Sequence, residues 1–227
     1  MRVLLAPVGA GKTQAALEAI SRAVSRAPLA RIWVLLPTRR QEDAFRQRLI
    51  DLPDGPQKTY FNVEFFDFYQ LYRYLLNLAA QPSRELSDAA RYAIMRAVIL
   101  EARPALAHFT PIAERAGFAR VVADFVYELK QNLIEPQTFI TAARDAKDRD
   151  LAHIYNGYQN KLRAEHLVDR EGEGWLALAT LRDITAPQGN SAPRIAQRLK
   201  QSLPNILIVD GFDQFNPLQV ALLAELS

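Results

Sequence analysis

Ala6-Pro7-Val8-Gly9-Ala10-Gly11-Lys12-Thr13 follows the apolar run Val3-Leu4-Leu5 and precedes QAALEAISRAVSR, a stretch with helical spacing. The order strand, glycine-bearing turn, helix decides how the rest of the chain is read. Small residues let backbone N–H groups curl around an anion, and a helix starting near Gly11 turns its positive end toward the same point. Lys12 adds a charge that reaches β- and γ-phosphates, and the Thr13 hydroxyl is a ligand for Mg²⁺. The stretch therefore predicts a loop for ATP and Mg²⁺, with Ala6, Gly9, Ala10, Gly11, Lys12 and Thr13 around the nucleotide. Ala6 stands where such loops usually carry Gly, which matters only if that position needs φ > 0. The alternative is a strand-to-helix turn with an exposed lysine.

Working outward, Arg31–Leu36 is a second continuous apolar run, ended by Pro37. Thr38 is placed to cap the following helix, RRQEDAFRQRLI, which would keep Ala44, Phe45, Leu49 and Ile50 on one side. Asp51–Thr59 reads as a loop, Phe61–Phe65 as a third strand and Asp67–Leu78 as a helix. Alternation of strand and helix predicts a parallel sheet covered by helices. From Leu86 to about Leu203 no strand pattern stands out. Helical spacing instead links Ala90, Ile94, Ala97 and Val98, then Phe118, Val122, Phe125, Leu129 and Leu133, then Leu151, Ile154, Tyr155, Tyr158 and Leu162. Pro187–Ser191 reads as a break, Pro193–Leu203 as a short helix, and Asn205–Asp210 as another buried strand. The expected fold is α/β: a P-loop NTPase (RecA-like) parallel sheet with a large all-helical insertion subdomain. Residues 1–83 and 191–227 make the core and 84–190 the insertion. The chain ends LQVALLAELS, a helical pattern without a capping glycine, so the second part of the core is expected to be truncated.

Of the 227 residues 49% are apolar, enough for a sizeable core, and none is cysteine, which excludes disulfides, zinc–thiolate sites and Fe–S ligation within this segment. His108, His153 and His166 have no ligand spacing. A net charge of +3 and a pI near 9.2 permit nucleic-acid binding without demonstrating it. No window of about 18 uncharged apolar residues exists, and the N-terminus lacks a signal pattern, so no membrane partner and a cytoplasmic location are expected. Trp33 and Trp175 sit in apolar patterns and read as core. Arg91, Arg96, Arg103, Arg115, Arg120 and Lys130 are scattered and read as solvated faces.

A phosphate loop needs a second strand that delivers a carboxylate to the cation. Asp210, ending Asn205–Asp210, is the candidate, so Thr13 and Asp210 form the expected metal pair. Asp210 would otherwise be a cap for the helix starting near Pro217, but Asp213 and Asn216 are better placed for that.

From Asp210 onward the chain resembles superfamily 1 DNA helicases of the UvrD type, at Asp210, Phe212, Asn216 and Gln219. It departs at Gly211, where those motors carry the glutamate that polarises water, and at Asp213, where they carry a coupling glutamine. Loss of a general base costs on the order of 10²–10⁴ in rate, and Asp213 is at best a weak substitute. The AddB-type subunit of the AddAB helicase–nuclease shares the Asp-Gly-Phe/Tyr pattern. VLLPTRRQEDAFRQRL, VEFFDFYQLYRYLL, LSDAARYAIMRAVI, GFARVVADFVYELKQNLIEPQTF and LAHIYNGYQNKLRAEHLVDREGEGWLALATL also resemble segments of that subunit. The resemblance implies an ATP-binding N-terminal domain acting in DNA double-strand break repair and recombination, weak in hydrolysis. Its implied partners are DNA, as a single strand or duplex end, and an AddA-type motor subunit. It implies DNA contacts at Thr38, Arg39 and Arg40 just past a strand. It also points to the aromatics Phe65, Phe66, Phe68 and Tyr69, of which Phe66 and Phe68 are the candidates for stacking on bases. At least two of those four rings are expected in the core. The competing readings are an active superfamily 1 motor fragment, a small-molecule kinase and a non-catalytic DNA- or partner-binding scaffold.

Overall fold

The structure is a computed structural model and describes residues 7, 9–52, 60–84, 86–185 and 193–227. The expected strand Val3–Leu5, Ala6, Val8, most of the Asp51–Thr59 loop and the Pro187–Ser191 break lie outside those residues. The chain divides into two units: one takes in residues 1–80, 180–215 and 222–227, the other 81–179 and 216–221.

The first unit is built on three parallel strands, β1 (Ile32–Leu35), β2 (Val63–Phe66) and β3 (Ile206–Val209), in the order β2-β1-β3. Register sets Ile32 against both Val63 and Ile206, and Leu35 against Phe66 and Val209. The whole of β1 is 0% exposed. That is why it reads as an unbroken apolar run: a central parallel strand is covered on both faces. Strand alternation sends Ile32 and Val34 to the face covered by α1 (Lys12–Arg26) and α2 (Arg39–Ile50), where Leu17, Ile20, Phe45 and Leu49 are buried. Trp33 goes to the other face. Phe66 and Tyr74, the latter on α3 (Phe68–Leu78), meet its ring edge-on at 5.4 and 5.5 Å. Its indole N–H donates to Glu64 Oε2 at 2.8 Å, so the polar atom of a fully buried ring is satisfied. The helix α9 (Pro193–Ser202) packs on α3.

Thr38 caps α2 as expected, its hydroxyl accepting from the Gln41 N–H at 3.2 Å. The buried stripe of α2 is Glu42, Phe45 and Leu49, whereas Ala44 and Ile50, expected on that side, are exposed. The stripe admits an acid because Arg46, one turn on, reaches the Glu42 carboxylate at 2.6 Å.

The second unit contains α4 (Asp88–Ala102), α5 (Ala116–Gln131), α6 (Pro136–Ala142), α7 (Ala146–Ala164) and the part of α8 (Arg170–Thr185) up to Ala179. Its core includes Met95 and Ile99 of α4, Val122 and Val126 of α5, and the α7 stripe Leu151, Ile154, Tyr155, Tyr158 and Leu162. Leu133, expected on the α5 stripe, lies past the helix end with φ 57°. His166 closes α7 in the same way, at φ 52°, with the Leu167 N–H donating back to the Leu162 carbonyl at 2.9 Å. Asp150 of α7 accepts from the N–H groups of Ala107, His108 and Phe109 at 3.0, 2.7 and 2.9 Å, which pins the turn between α4 and α5.

Two cations expected on solvated faces are not there. Lys130 is 0% exposed and pairs with Asp169, which also accepts from the Gly172 N–H at 2.8 Å and the Tyr158 hydroxyl at 3.2 Å. Arg91 is mostly covered and donates to the Tyr92 hydroxyl at 2.9 Å and to Asp124 at 3.4 Å. A buried charge needs such a partner. Asp169 lies thirty-nine residues from Lys130, so no local pattern announces it. Arg96, Arg103, Arg115 and Arg120 are exposed as expected. Trp175 is half-buried rather than core, its indole N–H donating to the Lys130 carbonyl at 2.8 Å.

Candidate functional site

At the start of α1, Gly9 and Gly11 adopt φ of 83° and 82°, the left-handed region that favours glycine. A Cβ built on either meets nothing within 4 Å among the described residues. Gly11 sits at the N-cap of α1 with no side-chain cap, and the first turn holds no acid. The first N–H groups of the helix and its positive end are therefore left to an incoming anion. Ala10 N–H donates to the Pro7 carbonyl at 3.3 Å, and the Lys12 ammonium reaches back over the turn to the same oxygen at 3.0 Å.

Asp210 follows β3 at the carboxyl edge of the sheet, where its N–H donates to the Leu35 carbonyl at 3.1 Å. The Thr13 hydroxyl donates to Asp210 Oδ2 at 2.7 Å. The two residues predicted to share a cation are thus brought into direct contact across the fold. A hydroxyl and a carboxylate at this distance, beside uncapped helix N–H groups and an ammonium, suit a phosphate chain with a hard divalent cation. Asp210 is not spent on capping. The helix α10 (Pro217–Glu225) is opened by Asn216 and Gln219, which exchange backbone-to-side-chain bonds at 2.9 and 3.1 Å.

Gly211 has φ 79°. A Cβ there would come within 3.1 Å of Gln41 Nε2 and 3.4 Å of Pro37 Cδ. The position has no carboxylate, and its backbone and neighbours also disfavour any side chain. Asp213 is exposed and hydrogen-bonds to nothing among the described residues. Beyond Gly211, Phe212 and Phe215 pack on Phe68 at 5.3 and 6.2 Å, which anchors the segment after β3 to the start of α3.

Thr38, Arg39 and Arg40 are exposed where β1 runs into α2. Arg39 lies 3.4 Å from Asp43 in a surface pair, and Arg40 pairs with no acid among the described residues. Phe66 and Phe68 are different. They are 8% and 3% exposed, enclosed by Trp33, Tyr74, Phe212 and Phe215, so neither offers a ring for stacking. Asp67 is engaged with Gln70 in a capping box for α3. Phe65 is half-buried beneath the Arg46 guanidinium, 4.5 Å from its ring centre. Gln41 was not singled out from the sequence. The signal was the Thr38-x-x-Gln41 spacing of a helix start. A cleft of about 450 Å³ opens in the second unit between residues including Asp88, Arg91, Asp124, Tyr158 and Asp169, none of them a predicted site residue.

The described residues define an α/β unit with a small parallel sheet, at whose carboxyl edge the threonine after a glycine turn meets an aspartate, joined in sequence to a helical unit. The chain belongs to the family described as ADDB, N-terminal, which matches residues 3–227. Its relatives include the B-type subunits of bacterial ATP-dependent helicase/deoxyribonucleases. It is 26% identical to that of Symbiobacterium thermophilum over 98% of this chain, and 26% to that of Moorella thermoacetica over 100%. Against the equivalent protein from Clostridium botulinum (strain Loch Maree) it is 20% identical over 100% of this chain. In each case the chain spans only 19% of the relative's length. No helix among the described residues is long and apolar enough to cross a membrane.

Proposed function

We propose that this chain is the N-terminal, ATP-binding part of one component of an ATP-dependent helicase/deoxyribonuclease that processes DNA double-strand breaks. In this reading the first unit is a P-loop, RecA-like core. Gly9, Ala10, Gly11 and Lys12 hold the phosphates, and Thr13 and Asp210 hold Mg²⁺. The observation that carries the reading is the 2.7 Å bond between Thr13 and Asp210 at the mouth of an uncapped glycine turn. Family membership supports the biological setting, with DNA and an AddA-type motor subunit as partners. Thr38, Arg39 and Arg40, exposed at the same sheet edge, are the proposed DNA contacts; the burial of Phe66 and Phe68 argues for the phosphate backbone over base stacking there. Hydrolysis by this chain is slow, because Gly211 supplies no water-activating group and Asp213 is the nearest acid that follows it.

Titration of a fluorescent ATP analogue with Mg²⁺ into the chain and its Lys12→Ala variant tests the proposal. Saturable binding, weakened at least about tenfold in the variant as expected for a lost charge-assisted contact, with slow turnover, is the expected result. Binding that is absent, or equal in both proteins, overturns it in favour of a scaffold role.

A further inference from the structure

The Gln41 side chain has no assigned role, yet it stands against Gly211, the residue that follows the cation-binding aspartate. Its carbonyl Oε1 accepts from the Thr38 hydroxyl at 2.9 Å. The other end, Nε2, is turned to Gly211, 3.1 Å from where a Cβ would stand. Among the described residues no acceptor takes the Nε2 hydrogens. An amide donor is thus held on the strand edge beside Asp210, against a residue whose lack of a side chain leaves room for it.

Resting on the nucleotide reading above, we propose that Gln41 is the group that distinguishes a nucleoside triphosphate from a diphosphate at this site. The diphosphate is held by the glycine turn and by Lys12, which the α1 N-terminus supplies. A terminal phosphate extending past the Thr13–Asp210 pair toward Gly211 would find the Nε2 of Gln41 as a donor to one of its oxygens. As a neutral amide, Gln41 takes no proton from water, so it lends affinity and selectivity without lending turnover. Thr38 is a positioning residue: its hydroxyl holds the carboxamide by its oxygen.

The test is equilibrium binding of MgATP and MgADP to the intact chain, to Gln41→Ala and to Thr38→Val, with Lys12→Ala as the control for the site. Gln41 is exposed on α2, and a thermal melt establishes that each variant stays folded. Gln41→Ala is expected to weaken MgATP about tenfold, the size of a lost bond to a charged group, and to leave MgADP within about twofold. Thr38→Val is expected to shift MgATP in the same direction and by less. Equal weakening of both nucleotides, or an unchanged MgATP affinity, overturns the assignment of Gln41 and leaves the nucleotide site standing. No saturable binding by the unmodified chain, or binding indifferent to Lys12→Ala, overturns both.

Discussion

Asp169→Asn is the substitution whose cost the structure defines most closely. Lys130 is wholly buried, and Asp169 is the acid that pairs with it. The asparagine keeps an oxygen for the Gly172 N–H, which the aspartate holds at 2.8 Å, so the start of α8 retains its cap, while the charge is removed and the Tyr158 hydroxyl loses Oδ2 as its acceptor. Breaking a buried pair costs about 3–5 kcal/mol, because the remaining ion has no counter-charge. Lys130 keeps a weak contact to Gln159 Oε1 at 3.3 Å and lies 5.4 Å from the centre of the Trp175 ring. Both contacts persist in the variant and leave the ammonium partly partnered, so the lower end, about 3 kcal/mol, is expected. With a urea m-value of about 2 kcal/mol/M for a unit of this size, the midpoint falls by about 1.5 M. Helical circular dichroism across a urea series reads this directly, and Trp175 fluorescence reports on the same place. The double variant Lys130→Met/Asp169→Asn is expected to regain at least half the loss, since the buried ammonium is then removed together with its counter-charge. A loss below about 1 kcal/mol in the single variant, or a double variant no more stable than it, would refute the account of this pair as a charge held by its partner.

Asp150→Ala leaves the N–H groups of Ala107, His108 and Phe109 without their acceptor and is expected to cost about 2–5 kcal/mol at pH 7. Burial raises the Asp150 carboxyl, but the three donors and the neighbouring His108 outweigh it and leave it below the usual carboxylate range. A group depressed in the folded state stabilises above its unfolded pKa, near 3.9, and that contribution is lost as pH falls through the folded value. Urea midpoints of the two proteins should therefore converge below about pH 4; a gap that stays constant to pH 3 contradicts the assignment. Gly211→Glu, which writes in the acid found in active motors, is expected not to raise ATP turnover. It should cost about 1–3 kcal/mol of thermal stability, from a left-handed backbone and the displacement of Gln41. A tenfold gain in turnover with an unchanged melting temperature would show that the position accepts a working carboxylate.

How far the sequence carries depends on whether the signal is local. The strand Ile32–Leu35 was legible because burial on both faces forces an unbroken apolar run, and Ile206–Val209, half-buried, was legible from the same apolar run of Ile, Leu, Ile and Val. The helix over Leu151–Leu162 was legible because every member of its stripe meets the same core. Thr38 was legible as a cap because that bond closes within one turn. Lys130 was not, since its partner comes from far along the chain, nor was the burial of Glu42, which depends on how α2 rolls against the sheet. The same division runs through the candidate site. Glycine, lysine and threonine at fixed spacing pointed to the turn, and the end of a strand pointed to Asp210. That Gly211 lies in the left-handed region against Gln41, and that Phe66 and Phe68 close over Trp33 and Phe212, follows from contacts between segments far apart in the chain.

The most direct measurement is the Mg²⁺ dependence of ATP affinity in the chain and in Asp210→Asn. If Thr13 and Asp210 hold the cation between them, Mg²⁺ tightens ATP binding to the unmodified chain. The substitution then removes that enhancement, while affinity without Mg²⁺ stays within about twofold, because the glycine turn and Lys12 are untouched. The same Mg²⁺ dependence in both proteins, or no ATP binding by either, would contradict the account.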